Sequence, residues 1–215
     1  MDKDKIDKKD HILDVAERVF SDLGFDGAST RMISGEAGVN MAMLNYYFGS
    51  KEGLFLAVFE RKISSFRELL QNIGSDESTS SWDKLDLCIE KYVDRIIVNN
   101  CFQKLINREM SISKRSELTD QITKILMVNA FELKKILDEG VNNGSFFNDI
   151  DVELVIATIF GTKNYIINTP HISSLLLGHD IRDEKFLEEQ LKPRIKTYMK
   201  RLLKAYLMND NDYTK

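Results

Sequence analysis

The stretch 38-GVNMAMLNYYFGSKEGLF-55 sets three aromatics side by side, Tyr46, Tyr47 and Phe48, then breaks at Gly49 and restarts on Ser50, Lys51 and Glu52. A helix that only filled a core would space its aromatics three or four residues apart, because those positions share a face. The flanking residues punctuate the chain closely. Thr30 is expected to cap a short helix over RMISGEA, and Gly38 ends it. Asn40 caps a second short helix over MAMLNYY, and Ser50 caps a long helix opening KEGLFLAVFERKISSF. Upstream, DHILDVAERVFSDLGF lines up Ile12, Ala16, Val19, Phe20 and Leu23 on one stripe, with Gly24 placed to end the helix. Hinges of about three residues then force a trihelical unit around Phe20, Ile33, Val39, Leu44 and Phe48.

Apolar residues at Ile33, Ala37, Val39, Leu44 and Tyr47, a small Ser34 and a turn at Gly38 let two short helices cross steeply. Gly38 supplies the positive φ such a turn requires. This is the helix-turn-helix pattern, whose second helix enters a DNA major groove. An ordinary helical hairpin shares the apolar spacing, so the residues left outside the core decide between the two. On the second helix these are Asn40, Met41, Ala42, Asn45 and Tyr46, none of them charged. A solvated surface helix would carry Lys and Glu there. Asn reads adenine edges, and Ala and Met touch a thymine methyl. With Tyr47 and Phe48 turned inward, Tyr46 is forced outward, where its hydroxyl can donate to a phosphate. Thr30 and Lys51 lie in first turns of helices, where free N–H groups attract anions.

GASTRMISGEAGVNMAMLNYYFGSKEGLF resembles the DNA-binding signature of the TetR/AcrR family of bacterial repressors, over about residues 10 to 56. Phe20, Gly24, Thr30, Ile33, Ala37-Gly38-Val39, Leu44, Tyr46, Phe48, Lys51 and Leu54 fall in register with it. The resemblance implies phosphate contacts at Thr30, Tyr46 and Lys51, and base reading at Arg31, Asn40, Met41, Ala42 and Asn45. Asn40, Ala42, Asn45 and Tyr47 depart from the Ser, Gly, Tyr and His common there, which keeps the fold and leaves the operator sequence open.

The rest of the composition is permissive. The chain has 215 residues, 43% apolar and 30% charged, with only 2 Pro and 11 Gly, and helix-type spacing runs nearly end to end. An all-α chain is expected: a helix-turn-helix domain over 1–53, with a polar tail at 1–9, then a helical ligand-binding and dimerisation domain over 54–215. No apolar run reaches 18 residues and the N-terminus has no signal-type segment, so a cytoplasmic protein with no membrane partner is expected. Cys88 and Cys101 stand 13 apart and His11, His171 and His179 form no ligand pattern, so no metal or cofactor is expected. Net charge is −4, and residues 1–53 hold 7 Lys and Arg against 10 Asp and Glu. Bulk charge therefore argues against nucleic acid, and DNA binding must rest on local geometry.

Beyond the polar linker GSDESTSSWD (74–83), helices are expected over 82–99, 101–112, 116–142, 150–168 and 184–208. A longer connection is expected at 169–180, and Pro193 should start, kink or divide the last helix. Leu154, Thr158, Gly161, Thr162 and Tyr165 share one stripe. Leu187, Leu191, Ile195, Tyr198, Leu202 and Tyr206 share another. Paired with a second copy, these two helices would form a four-helix interface, a layout the resemblance also implies. The interface candidates are Leu154, Thr158, Gly161, Leu191, Ile195, Tyr198 and Leu202. Tyr92, Phe102, Met110, Met127, Phe131, Asn164 and Tyr165 are candidates to line a pocket for an apolar small-molecule inducer, although core packing explains them equally. Arg108 and Glu109 read best as a surface pair. The function expected is a homodimeric, ligand-responsive repressor on a double-stranded, inverted-repeat operator. The alternatives are an activator of the same fold, or a helical protein-interaction module that binds no DNA. An enzyme is not expected, since no catalytic constellation occurs.

Overall fold

A computed structural model describes residues 2–96, 101–110 and 117–208, with side chains from Lys8 onward and that of Met110 outside them. Among the described residues the chain is all-α, with eleven helices and one π turn. It divides into two compact units. The first takes Met1–Phe66 and Asn99–Val128, the second Arg67–Val98 and Asn129–Lys215.

The first unit holds α1 (Asp2–Gly27), α2 (Thr30–Glu36), α3 (Met41–Phe48) and α6 (Cys101–Met110). The first parts of α4 (Lys51–Gly74) and α7 (Glu117–Asn142) complete it. The tail expected at 1–9 is helical from Asp2, where acidic residues suit a helix N-terminus. Gly24 does not stop α1 outright. Its φ of +75° bends the helix, which winds on to Gly27. A side chain there would run into the Arg108 guanidinium, which donates to the Asp22 carbonyl at 3.2 Å. Arg108 and Glu109 are therefore not a surface pair. Arg108 grips the end of α1, and Glu109 is buried, with burial raising its carboxyl pKa.

Ser29, not Thr30, caps α2. Ser29 has φ −131° and accepts from the Met32 N–H at 3.1 Å, while Thr30 becomes the first helical residue. The other caps are those expected. Asn40 accepts from the Met43 N–H at 2.8 Å and Ser50 from the Gly53 N–H at 3.1 Å. Gly38, at φ +64°, turns the chain, and the Val39 N–H closes back on the Ser34 carbonyl at 3.0 Å.

Beneath these turns lies one core. Ile33 and Leu44 are fully buried. Phe20, Phe55, Phe59 and Phe102 run in edge-on contact from α1 through α4 to α6, with centroids 4.7 to 5.2 Å apart. Leu105, Ile122 and Ile125 belong to the same cluster. The join between α3 and α4 is the tightest point: a Cβ on Gly53 would stand 2.1 Å from the Phe48 carbonyl oxygen.

The second unit holds the rest of α4 and α7, with α5 (Ser81–Asp94), α8 (Val152–Asn168), α9 (Pro170–Leu177), α10 (Glu184–Phe186) and α11 (Lys192–Leu207). The connection expected at 169–180 contains α9. Pro170 presets its first turn and Gly178, at φ +74°, ends it. Pro193 divides the last helix as expected, by way of a π turn over Leu187–Leu191. Proline cannot donate back to the preceding turn and its ring crowds the carbonyl four residues earlier. The widened turn opens that space, and the Lys192 N–H bonds five back to the Leu187 carbonyl. Lys84, 2% exposed, donates to Glu139 at 2.8 Å and to the Gly74 carbonyl at 3.0 Å, clasping α5, α7 and the end of α4. Cys88 and Cys101 are free thiols, and burial pushes that of Cys88 up to about 12. Among the described residues no helix is long and apolar enough to cross a membrane, and no His, Cys, Asp and Glu cluster could hold a metal ion.

Two consequences are measurable by thermal or urea unfolding. Gly53→Ala should destabilise by about 1–3 kcal/mol, because the added methyl meets backbone. Gly35→Ala, with nothing within 4 Å of the new Cβ, should be neutral or stabilise by roughly 0.5–1 kcal/mol. Leu44→Ala should cost about 2–5 kcal/mol, whereas Tyr46→Ala on the opposite face of the same helix should change stability by less than about 0.5 kcal/mol.

Candidate nucleic-acid interface

α3 is too short to be stable alone, and its two faces differ sharply. Leu44 is sealed inside, and Tyr47 and Phe48 pack half-buried on the same core. Asn40, Met41, Ala42, Asn45 and Tyr46 are exposed. Tyr46 is 77% exposed, its ring held edge-on by Tyr47 at 5.4 Å. Two of the three neighbouring aromatics thus anchor the helix and the third stands out from it. Asn40 has two tasks: its Oδ1 caps α3, and its amide N–H group is the part available to a base.

The flanking residues frame this face. Arg31 is exposed at the start of α2, and Thr30 beside it is half-buried. Lys51 is half-buried, its ammonium 4.4 Å from the centre of the Phe25 ring. The ring steers the cation without neutralising it. The start of α4 is less open to anions than its sequence implies. The Glu52 carboxylate accepts its own backbone N–H and the Ser50 hydroxyl, which hold its pKa below the usual range. Ser50 in turn takes the Gly53 N–H. Anion attraction there falls mainly to Lys51. Lys9 adds a cation that sequence spacing did not single out: its ammonium lies 5.9 Å from the centre of Phe48. Only the fold brings Lys9 to the end of α3, so no local pattern reveals it.

The other candidates fare unevenly. Tyr92 is buried in the second unit, and Phe102 lies half-buried on the core of the first. Met127, Phe131, Asn164 and Tyr165 are exposed on the outer faces of α7 and α8 rather than enclosed. The residues turned inward on those helices are Leu133, Ile136, Leu137, Val155 and Ile159. The Met110 side chain lies outside the described residues. Of the interface candidates, Leu154, Gly161, Tyr198 and Leu202 are exposed and Thr158 is half-exposed. Leu191 and Ile195 are corrections: they pack inside their own unit, at 1% and 5% exposure. The buried stripe of the last helix runs Leu187, Leu191, Ile195, Met199, Leu203 and Leu207, so the outward stripe is Tyr198, Leu202 and Tyr206.

Comparison with known proteins agrees with this geometry. The family described as bacterial regulatory proteins, tetR family, matches residues 12–58, and the tetracyclin repressor-like C-terminal domain matches residues 83–196. The HTH-type transcriptional repressor NicS of Pseudomonas putida is 47% identical over 82% of this chain and 84% of its own. The fatty acid metabolism regulator protein of Bacillus subtilis is 28% identical over 78% of this chain and 85% of its own. The crystal structure of the regulator FadR from Bacillus subtilis, in complex with stearoyl-CoA, superimposes with a TM-score of 0.65 at 23% identity, over 88% of this chain and 96% of that one. With an uncharged α3 face set between outward Tyr46 and Lys51, and both parts of the chain matched, the protein belongs to the TetR family of DNA-binding bacterial transcription regulators.

Proposed function

We propose that this chain is a homodimeric repressor that holds an inverted-repeat operator in the cytoplasm and is released by a small-molecule inducer. The observation that carries the reading is the outer face of α3: Met41, Ala42, Asn45 and Tyr46 are exposed and uncharged beside the capping Asn40, with no Lys or Glu among them. Residues 1–53 read the DNA, with Arg31, Asn40, Met41, Ala42 and Asn45 at base edges and Thr30, Tyr46 and Lys51 on phosphates. Residues 54–215 dimerise and take the inducer. Two reading helices must stand about 34 Å apart to enter successive major-groove faces, which gives dimerisation its purpose. The exposed stripes of α8 (Leu154, Thr158, Gly161) and α11 (Tyr198, Leu202) are the surfaces that pair. The repressor name of the Pseudomonas putida relative supports negative control, and the stearoyl-CoA in the Bacillus subtilis structure supports an inducer with an apolar body. α4 contributes to both units, so a ligand that shifts its second half would alter the reading heads. The inducer acts only by the difference in its affinity for the two states.

Fluorescence anisotropy on the DNA upstream of the chain's own gene, over a salt series, tests this. Binding should fall steeply with salt. Lys51→Ala, present in both heads, should reduce the magnitude of the log–log slope by about 2. Tyr46→Phe should weaken binding by about tenfold through two lost hydroxyl contacts. A Tyr46→Phe/Lys51→Ala double variant that binds like the wild type would remove the clamp assignment.

A further inference from the structure

In the second unit, α5 and α8 bring together groups the repressor reading does not use. Tyr92 is buried and meets Phe160 edge-on at 5.0 Å. The Lys163 ammonium stands 4.7 Å from the centre of the Tyr92 ring. Burial, with the like charge of Arg95 beside it, lowers Lys163 to about 8, and burial also lowers the Arg95 pKa. Lys204 lies farther out, 5.8 Å from the centre of the Trp82 ring, and other lysines of this unit meet carboxylates. Lys84 meets Glu139, Lys192 meets Glu188, Lys196 meets Asp94, and Lys200 meets Asp86 and Glu90. Among the described residues Lys163 meets none. Its neighbours are an aromatic face and a second cation, and a ring attracts an ammonium far less than a carboxylate does. A cation withdrawn from water without a counter-charge is a cost to the fold. Here it lies over the Tyr92 ring, which itself packs edge-on against Phe160.

We propose that Lys163, reinforced by Arg95, receives an acid group, carboxylate or phosphate, on an amphipathic ligand whose apolar body lies against Tyr92 and Phe160. This rests on the ligand-responsive reading above and sharpens it: the inducer is an anion, not a neutral apolar molecule. The sequence alone passed over Lys163 because a lysine between Thr162 and Asn164 looks like a solvated helix position. Only the burial of Tyr92 beneath it makes it distinctive.

The test uses the full chain with three probes below their micellar concentrations: dodecanoate, dodecyl phosphate and dodecanol. Binding is read by calorimetry and thermal shift, and DNA retention is read separately by anisotropy. At least one acid should bind and raise the melting temperature, and dodecanol should bind at least tenfold more weakly. Which acid is preferred separates carboxylate from phosphate recognition. Lys163→Met keeps the side-chain length and removes the charge. It should weaken acid binding at least tenfold, and it should melt at or above the wild-type temperature without ligand, since it removes an uncompensated cation. Lys163→Arg should retain acid binding. The proposal is overturned if neither acid binds, if dodecanol binds as well as both acids, or if Lys163→Met binds them like the wild type. Failure of the unliganded protein to hold DNA would instead sink the repressor reading and leave the anion result standing.

Discussion

An eight-residue helix does not keep its shape in water, and α3 keeps its shape because of what lies beneath it. Helix nucleation is costly and isolated helices of this length are marginal even in favourable sequences. Leu44 and Ile33, fully buried on the ring ladder of Phe20, Phe55 and Phe59, supply what the backbone lacks. Three side-chain caps at Ser29, Asn40 and Ser50 then fix where α2, α3 and α4 begin. Because the inner face and the caps carry the stability, the outer face is released from it. Asn45 and Tyr46 can be chosen for a groove alone. Gly53 belongs to the same constraint: without a side chain it lets α4 start against the last turn of α3, which sets the angle at which the reading face is offered.

The second unit follows a different rule. It draws long cationic side chains inward and returns a carboxylate to each of Lys84, Lys192 and Lys200. Such pairs contribute less to stability than to register, because desolvation offsets much of their attraction. Lys84 shows this well, since it fixes the end of α4 against α5 and α7 by one ammonium. Against that habit Lys163 stands out, held over the Tyr92 ring with the like charge of Arg95 beside it.

Much of this was legible in the sequence, and the failures share a cause. Hinges, the caps at Asn40 and Ser50 and the inward or outward sense of residues 40–48 follow from neighbours within one or two turns, and these match expectation. Ser29 takes the cap in place of Thr30, one position on, because two adjacent hydroxyl residues fit the same rule and only the backbone at Ser29, extended and in reach of the Met32 N–H, separates them. Leu191 and Ile195 were misassigned because steps of three and of four from Ile195 both land on apolar residues, and the π turn before Pro193 hides which stripe faces in. α9 was missed because Pro170 reads as a break as readily as a start. Lys9, Arg108 and Lys163 lay beyond reach, since each matters through a residue far away in the chain that only the fold brings near.

The first unit is not a contiguous piece of chain. Its core takes Leu105, Ile122 and Ile125 from α6 and α7, after an excursion through the whole of α5. Such separation raises the contact order, and closing long loops before any contact repays them slows folding. During synthesis the N-terminal helices therefore emerge well before the segments that complete their hydrophobic wall. A ribosome paused before residue 122 carries a reading head with part of its apolar surface still open to water. The reading head thus lacks part of its apolar wall until Ile122 and Ile125 have been made.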